Sequence, residues 1–392
     1  MKIESVDLFY LSMPEVLDIG DGSQDALVVR VRAGGHEGWG ECEASPLTSI
    51  ASMVAPMSHS ACKPISASVI GQTLNDLKDI SRLGRLMHDN SFDLLQADHT
   101  WSGIDMALWD LMGKKLDEPV WRLLGYSSAY PKMPYASVLF GDTPQQTLQK
   151  GRTARENGFR AAKFGWGNFG KGSLQDDVDQ VMAAREGIGA DGILLIDAGT
   201  NFGDDADAAI QRAPVMKDCS VTWFEEPFVK DAFEQHVALA KACAPVKLAG
   251  GEGSHNPYMA KHMIDHCALG FIQIDAGRIG GISGAKQIAD YAASRGVTYV
   301  NHTFTSHLAL SASLQPFAGL REPRISEYPF EPKALAYDLT ENHIERDANG
   351  EISAPDAPGL GMTVSKAALK QYLQDVEIKV NGQVLYRTPA VD

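Results

Sequence analysis

From about residue 133 onward the chain alternates between two hydrophobic rhythms. Short β-type apolar runs return at intervals of about 25 to 31 residues: PYASVLF from Pro134, AAKFGW from Ala161, GILLIDA from Gly192, VTWFEEP from Val221, VKLAGGE from Val246, FIQIDAG from Phe271, TYVNHT from Thr298 and RISEY from Arg324. Between them lie stretches of helical pattern, among them LQDDVDQVMAAREGIG, DAAIQRAPVMKD and ISGAKQIADYAASRG. Several end at glycine, which readily takes the left-handed turn that closes a helix. Another opens on Thr143-Pro144, an N-cap followed by a first-turn proline. Eight strands, each followed by a helix where the chain permits, predict a parallel (β/α)8-type barrel. A doubly wound open sheet is the alternative, but no GxGxxG follows the first strands.

Residues 1–125 have a different texture. IESVDLFYL and DALVVRVRA read as antiparallel strands and GIDMALWDLMGKKL as an amphipathic helix, so an α+β domain is expected ahead of a barrel over 126–329. The segment 330–392 holds two further short strands, VEIKV and QVLYR, and is expected to pack back on the first domain. With 392 residues of which 44% are apolar, the chain can bury a sizeable core. A net charge of −15 with no basic patch argues against nucleic acid or an anionic membrane as partner. No stretch approaches 18 uninterrupted apolar residues, and a cytoplasmic enzyme is the expectation. The five cysteines, Cys42, Cys62, Cys219, Cys243 and Cys267, form no CxxC pair and fit reduced thiols.

In a (β/α) barrel the chemistry sits at the C-terminal ends of the strands. There the third strand offers Asp197, the fourth Glu225, the fifth Glu252, the sixth Asp275, the seventh His302 and the eighth Glu327. A single acid in such a place often just caps the next helix; six ionisable groups in register do not. Converging carboxylates repel, by about 4 kcal/mol for two unit charges 4 Å apart at an effective dielectric of 20. They need a cation, and an all-oxygen set suits a hard divalent ion such as Mg2+. Strand alternation is expected to turn Glu226 away from Glu225 and pair it with a basic group, with Pro227 ending the strand.

The series LLIDAG, WFEEP, GGEGS, QIDAGRIGG and NHT, with GWGECEASP and GIDMALWDLMGKKL earlier, resembles the enolase superfamily and within it the mandelate racemase subgroup. The resemblance covers essentially the whole chain. It implies a modified (β/α)7β barrel capped by the N-terminal domain, with Mg2+ held by Asp197, Glu225 and Glu252. It also implies His302 as the base that removes the proton beside a substrate carboxylate, Asp275 as its orienting partner, and Glu327 as a hydrogen-bond partner of that carboxylate. The metal would stabilise the enediolate so formed. A carboxylate on one ring nitrogen fixes the tautomer and favours the imidazolium, leaving the other nitrogen to take and return a proton.

Two positions depart from the subgroup. Where it often carries Lys-x-Lys on the second strand, this chain has Lys163 and then Gly165; and Gly199 stands where some acid-sugar dehydratases place a second histidine. A site with one strong base favours dehydration of an acid sugar, an aldonate or aldarate, to a 2-keto-3-deoxy acid, with Lys163 neutralising the carboxylate. The alternatives are a racemase, epimerase or lactone cycloisomerase that recruits Lys163 or another group, and a non-catalytic sugar-acid binding protein. The resemblance further implies a symmetric homo-oligomer, dimer or octamer. It assigns specificity to two cap loops, Pro14–Asp25 and Glu41–Pro64, where Met53, Met57 and His59 are candidates to close over the pocket.

Overall fold

A computed structural model describes the whole chain, Met1–Asp392. Its first three strands, β1 (Ile3–Ser12), β2 (Asp25–Ala33) and β3 (His36–Cys42), pair antiparallel in sequence order. The 20-residue helix Ala97–Leu116 lies on β3 with almost no gap. Glycine makes this possible: a Cβ on Gly40 would stand 2.2 Å from the carbonyl oxygen of Gly103, and one on Gly103 2.7 Å from Cys42 Sγ. Backbone therefore rests on backbone, and both faces of this helix are buried.

Eight parallel strands follow: β4 (Met133–Leu139), β5 (Ala161–Gly165), β6 (Ile193–Asp197), β7 (Trp223–Glu225), β8 (Lys247–Gly250), β9 (Phe271–Asp275), β10 (Thr298–His302) and β11 (Ile325–Pro329). They pair in sequence order from β4 to β10, and β11 joins on the other side of β4, giving the capped (β/α)8-type barrel expected. Tyr135, Leu195, Trp223, Ala249 and Val300 pack inside the barrel, separate from the main core between strands and helices. The Thr143-Pro144 signal opens the helix Pro144–Glu156 through a capping box with Gln146. The stretch DAAIQRAPVMKD, by contrast, breaks into two short helices, Ala206–Ile210 and Ala213–Asp218.

No backbone ladder joins β10 to β11. Side chains stitch that seam instead. The amide of Asn301 accepts the Glu327 N–H at 2.9 Å and donates to Ser313 Oγ at 3.0 Å, while the N–H of Thr303 donates to the Glu327 carboxylate at 2.8 Å. The two-stranded hairpin β12 (Glu377–Val380) and β13 (Gln383–Arg387) reaches the first sheet, where Tyr386 donates its hydroxyl to the carbonyl of Leu8 at 2.6 Å. No helix is long and apolar enough to cross a membrane.

The helix Ala97–Leu116 also ties the cap to the barrel. Asp105 accepts both the N–H and the hydroxyl of Ser283, at 3.0 and 2.5 Å, and Trp109 Nε1 donates to the same hydroxyl at 2.9 Å. Burial pushes the Asp105 carboxyl up to about 7 against its hydrogen bonds. Folded Asp105 thus holds its proton more tightly than the unfolded chain does, so its stabilising contribution is full below the ordinary carboxylate pKa and is lost as pH rises through about 7. Asp105→Asn should therefore gain melting temperature relative to the parent between about pH 5 and pH 8. An equal offset at both pH values would refute this.

Candidate active site

Four of the six strand-end groups, Asp197, Glu225, Asp275 and His302, are the last residues of their strands around the mouth, and two differ. Glu252 stands two residues beyond the end of β8 in a turn, and Glu327 is the middle residue of β11 rather than its last. All seven predicted site residues are buried, from 0% exposure at Glu225 and Glu327 to 8% at Glu252. They form two linked groups. His302 Nδ1 lies 2.7 Å from Asp275 Oδ2, its register partner on the neighbouring strand, and His302 Nε2 lies 3.1 Å from Glu252 Oε2. Lys163 Nζ sits between Glu225 Oε1 at 2.7 Å and Glu327 Oε1 at 2.9 Å.

Asp197 and Glu225 are register partners on β6 and β7. The Asp197 carboxylate accepts the N–H of Gly199 at 2.7 Å, and Glu225 accepts Trp223 Nε1 at 2.9 Å. Burial, then repulsion from Glu225 and Glu252, holds the Asp197 carboxyl well above its ordinary range. Burial disfavours the Lys163 ammonium, yet the carboxylates of Glu225 and Glu327 outweigh it and hold Lys163 firmly protonated. At His302 burial again opposes charge, and Glu252, Glu327 and Asp275 overcome it, lifting the imidazole to about 10. These acids answer protein cations rather than one another: Glu225 turns to Lys163 and Glu252 to His302. As the side chains stand, no three of these groups are gathered closely enough to hold a metal ion. The chemistry of Asp197, Glu225 and Glu252, all oxygen and mutually repulsive, is nevertheless that of a donor set for a hard divalent cation.

Glu226 does not follow the alternation. Its backbone is left-handed, at φ 37°, which ends β7 and keeps the side chain on the crowded side. Burial and the carboxylates of Glu252 and Glu225 raise it to about 8, and it makes no ion pair. The expected basic partner is therefore absent.

Gly165 marks the largest departure from a two-lysine site. A Cβ there would stand 2.6 Å from Asp197 Oδ2, so the space a lysine stem would use is already filled by Asp197. Gly199 is left-handed at φ 52°, and its Cβ would meet the Trp166 ring at 2.9 Å. Neither position has room for a second acid–base group as the chain now folds.

The structure adds two groups without an assigned role in the sequence. Glu43, just beyond β3, pairs with Arg278, which also reaches toward Glu252 Oε1 at 3.9 Å. Burial opposes the Glu43 charge, but Arg278 holds its carboxyl down to about 2. Glu43 carries a sequence signal: it follows Glu41 by two in GWGECEASP and so shares its strand face. Glu41 itself bonds Ser306 across the cap–barrel boundary.

Of these groups Lys163, Asp197, Glu252, Arg278, His302 and Glu327 line a chamber of about 220 Å³, closed on one side by Ile19, Gly20, Asp21 and Gly22 of the first cap loop, while Glu225 and Asp275 lie behind its wall. The second cap loop contributes Glu43 alone. Met53 is buried in the core, Met57 is 62% exposed, and His59 pairs with Asp93 at 3.1 Å, so none of the three closes the chamber.

Comparison with known proteins fits this geometry. Residues 147–368 match the enolase C-terminal domain-like model, and residues 10–125 match the N-terminal domain of mandelate racemase / muconate lactonizing enzyme. The chain belongs to the mandelate racemase family of the enolase superfamily. A crystal structure from Rhodobacter sphaeroides, described as a predicted mandelate racemase, superposes with a TM-score of 0.95 at 59% identity, covering 99% of this chain and 100% of that one. D-galactarolactone cycloisomerase of Agrobacterium fabrum is 30% identical over 86% of this chain and 88% of its own. Arabinonate dehydratase of Saccharolobus solfataricus is 28% identical over 69% of this chain and 71% of its own. Members of the superfamily generally bind Mg2+.

Within this mandelate racemase family member the Glu43–Arg278 pair joins cap to barrel, with the Glu43 side chain buried and that of Arg278 20% exposed. Removing one partner of such a pair strands the other charge. Arg278→Met should lower unfolding free energy by about 3–5 kcal/mol in urea titrations. A loss within the range of an exposed salt bridge, about 0–1 kcal/mol, would show that Glu43 finds solvent.

Proposed function

We propose that the protein is an Mg2+-dependent acid-sugar dehydratase. The observation that carries this is a chamber with one proton-transfer dyad, His302–Asp275, and no second: Lys163 is held as an ammonium by two carboxylates, and Asp197 fills the space above Gly165. Dehydration needs only one such group.

In the proposed reaction His302, once relieved of the Glu252 carboxylate that favours its second proton, presents neutral Nε2 to the C2 proton of a 2,3-dihydroxy acid. Asp275 fixes the tautomer by accepting the Nδ1 proton, and stabilises the imidazolium once the C2 proton has arrived. The same Nε2–H then protonates the departing C3 hydroxyl on that face. Water leaves, and the enol tautomerises to a 2-keto-3-deoxy acid. Lys163 serves as a fixed positive charge toward the substrate carboxylate, and Glu327 holds Lys163 and the β10–β11 seam in place. Asp197, Glu225 and Glu252 would hold the Mg2+, which when bound supplies positive charge to the carboxylate as negative charge develops on it. The named activities of relatives, including arabinonate dehydratase and D-galactonate dehydratase, support an acid-sugar substrate.

A second reading is supported by the likeness to cycloisomerases, D-galactarolactone cycloisomerase among them. It would use the same proton abstraction without loss of water. Incubation with Mg2+ in D2O against pooled mono- and diacid sugars, and separately against their lactones, followed by NMR, separates the two. A new 2-keto-3-deoxy product is expected; C2 exchange, a new diastereomer or a ring-opened lactone without dehydration would sink the dehydratase assignment. His302→Asn should lose turnover by about 10²- to 10⁴-fold or more while still binding the acid in the presence of Mg2+. Gly165→Ala tests the metal set, because the new methyl must displace Asp197: Mg2+ affinity by calorimetry should fall about 10- to 100-fold. Unchanged affinity would remove Asp197 from that set.

A further inference from the structure

A second cavity lies against the chamber. Its volume is about 840 Å³, and it shares Ile19, Gly20, Val138, Leu139 and Trp166 with the inner space of about 220 Å³. The inner volume falls below the roughly 300–1,000 Å³ of ordinary ligand pockets, and the outer one falls within it. The inner lining is rich in ionisable side chains, a setting for the reacting carboxylate, C2 and C3.

The outer lining has another chemistry. Gln149 and Asn168 offer exposed amides, and Phe330 and Trp166 offer aromatic surface. Its acids, Asp18, Asp142 and Glu331, outnumber Lys150 and Lys171, and Lys150 already donates to the Leu139 carbonyl at 2.8 Å. No net positive field is left to draw a second anion. Paired donors and acceptors beside aromatic rings suit a neutral hydroxylated group.

Trp166 is the partition between the two spaces. Its backbone is left-handed at φ 55°, which side chains other than glycine rarely adopt. Its ring is lodged against the cap and the barrel: a Cβ on Gly20 would stand 2.6 Å from it and one on Gly199 2.9 Å. Two glycines therefore make room for one indole at the wall.

We propose that the outer cavity is a subsite for a neutral sugar unit carried on the far end of the acid, so that the substrate is a glycosylated acid sugar, an aldobionic acid in class. The identity of the reacting end rests on the dehydratase reading. The test pairs each six-carbon aldonate with its 4-O- and 6-O-glycosyl derivatives, lactobionate and melibionate among them. Dissociation constants are measured by calorimetry on Mg2+-loaded His302→Asn, and turnover on the parent enzyme. For the preferred acid the glycosylated form should bind roughly tenfold tighter or better. Gln149→Trp, at an exposed helix position facing the cavity, should erase that advantage and leave the plain aldonate unchanged.

Aldonates bound and turned over with no gain from glycosylation would overturn the subsite while sparing the dehydratase reading. The same holds if Gln149→Trp weakens both forms alike. Tighter binding of the glycosylated form without any dehydration would leave the subsite standing and overturn the reaction. Failure of every acid sugar to bind would overturn both.

Discussion

The barrel mouth holds more buried carboxylates than cations, and much of the site's arrangement answers that imbalance. Glu225, Glu252, Asp275, Glu327 and Glu43 share the protein's own Lys163, Arg278 and His302, while Asp197 and half-buried Glu226 pair with none. Each cation is consequently claimed by at least two acids. Lys163 is fixed as an ammonium, and His302 is pushed to hold a second proton. Among the influences that raise His302, Glu252 leads, so whatever neutralises Glu252 also frees the imidazole to accept a proton. Charge supply and base strength are two faces of one balance.

The fold serves that balance by crossing a domain boundary. Glu43 comes from the cap and Arg278 from the loop after β9; backbone-level contact at Gly40 and Gly103 fixes β3 on the cap helix, and the Asp105–Ser283 hydrogen bonds seat that helix on the barrel. Those contacts place the end of β3, and with it Glu43, at the chamber. Between β10 and β11 the barrel is completed by an amide and a carboxylate rather than by a ladder. The carboxylate is that of Glu327, so one residue both closes the barrel and anchors Lys163.

Much of this was legible in the sequence because strand periodicity and strand-end chemistry are local signals. The runs from Pro134 to Arg324 map onto β4 to β11, and the strand-end position brings His302 beside Asp275 without any tertiary knowledge. What escaped was non-local or set by unusual backbone. Glu226 broke the alternation through a left-handed φ that no hydrophobic pattern encodes. Arg278 found its partner just beyond β3, more than two hundred residues earlier in the chain. Met57 and His59 looked like a lid because their loop is long, yet that loop turns away and pairs His59 with Asp93.

Because the space beside Gly165 is taken by the Asp197 carboxylate, any side chain added there makes Asp197 give way, and Asp197 is bound to its own loop through Gly199. Residue 165 and the first acid of the series are therefore sterically coupled: a change at one is felt at the other, so the two act as one unit in any redesign of the site.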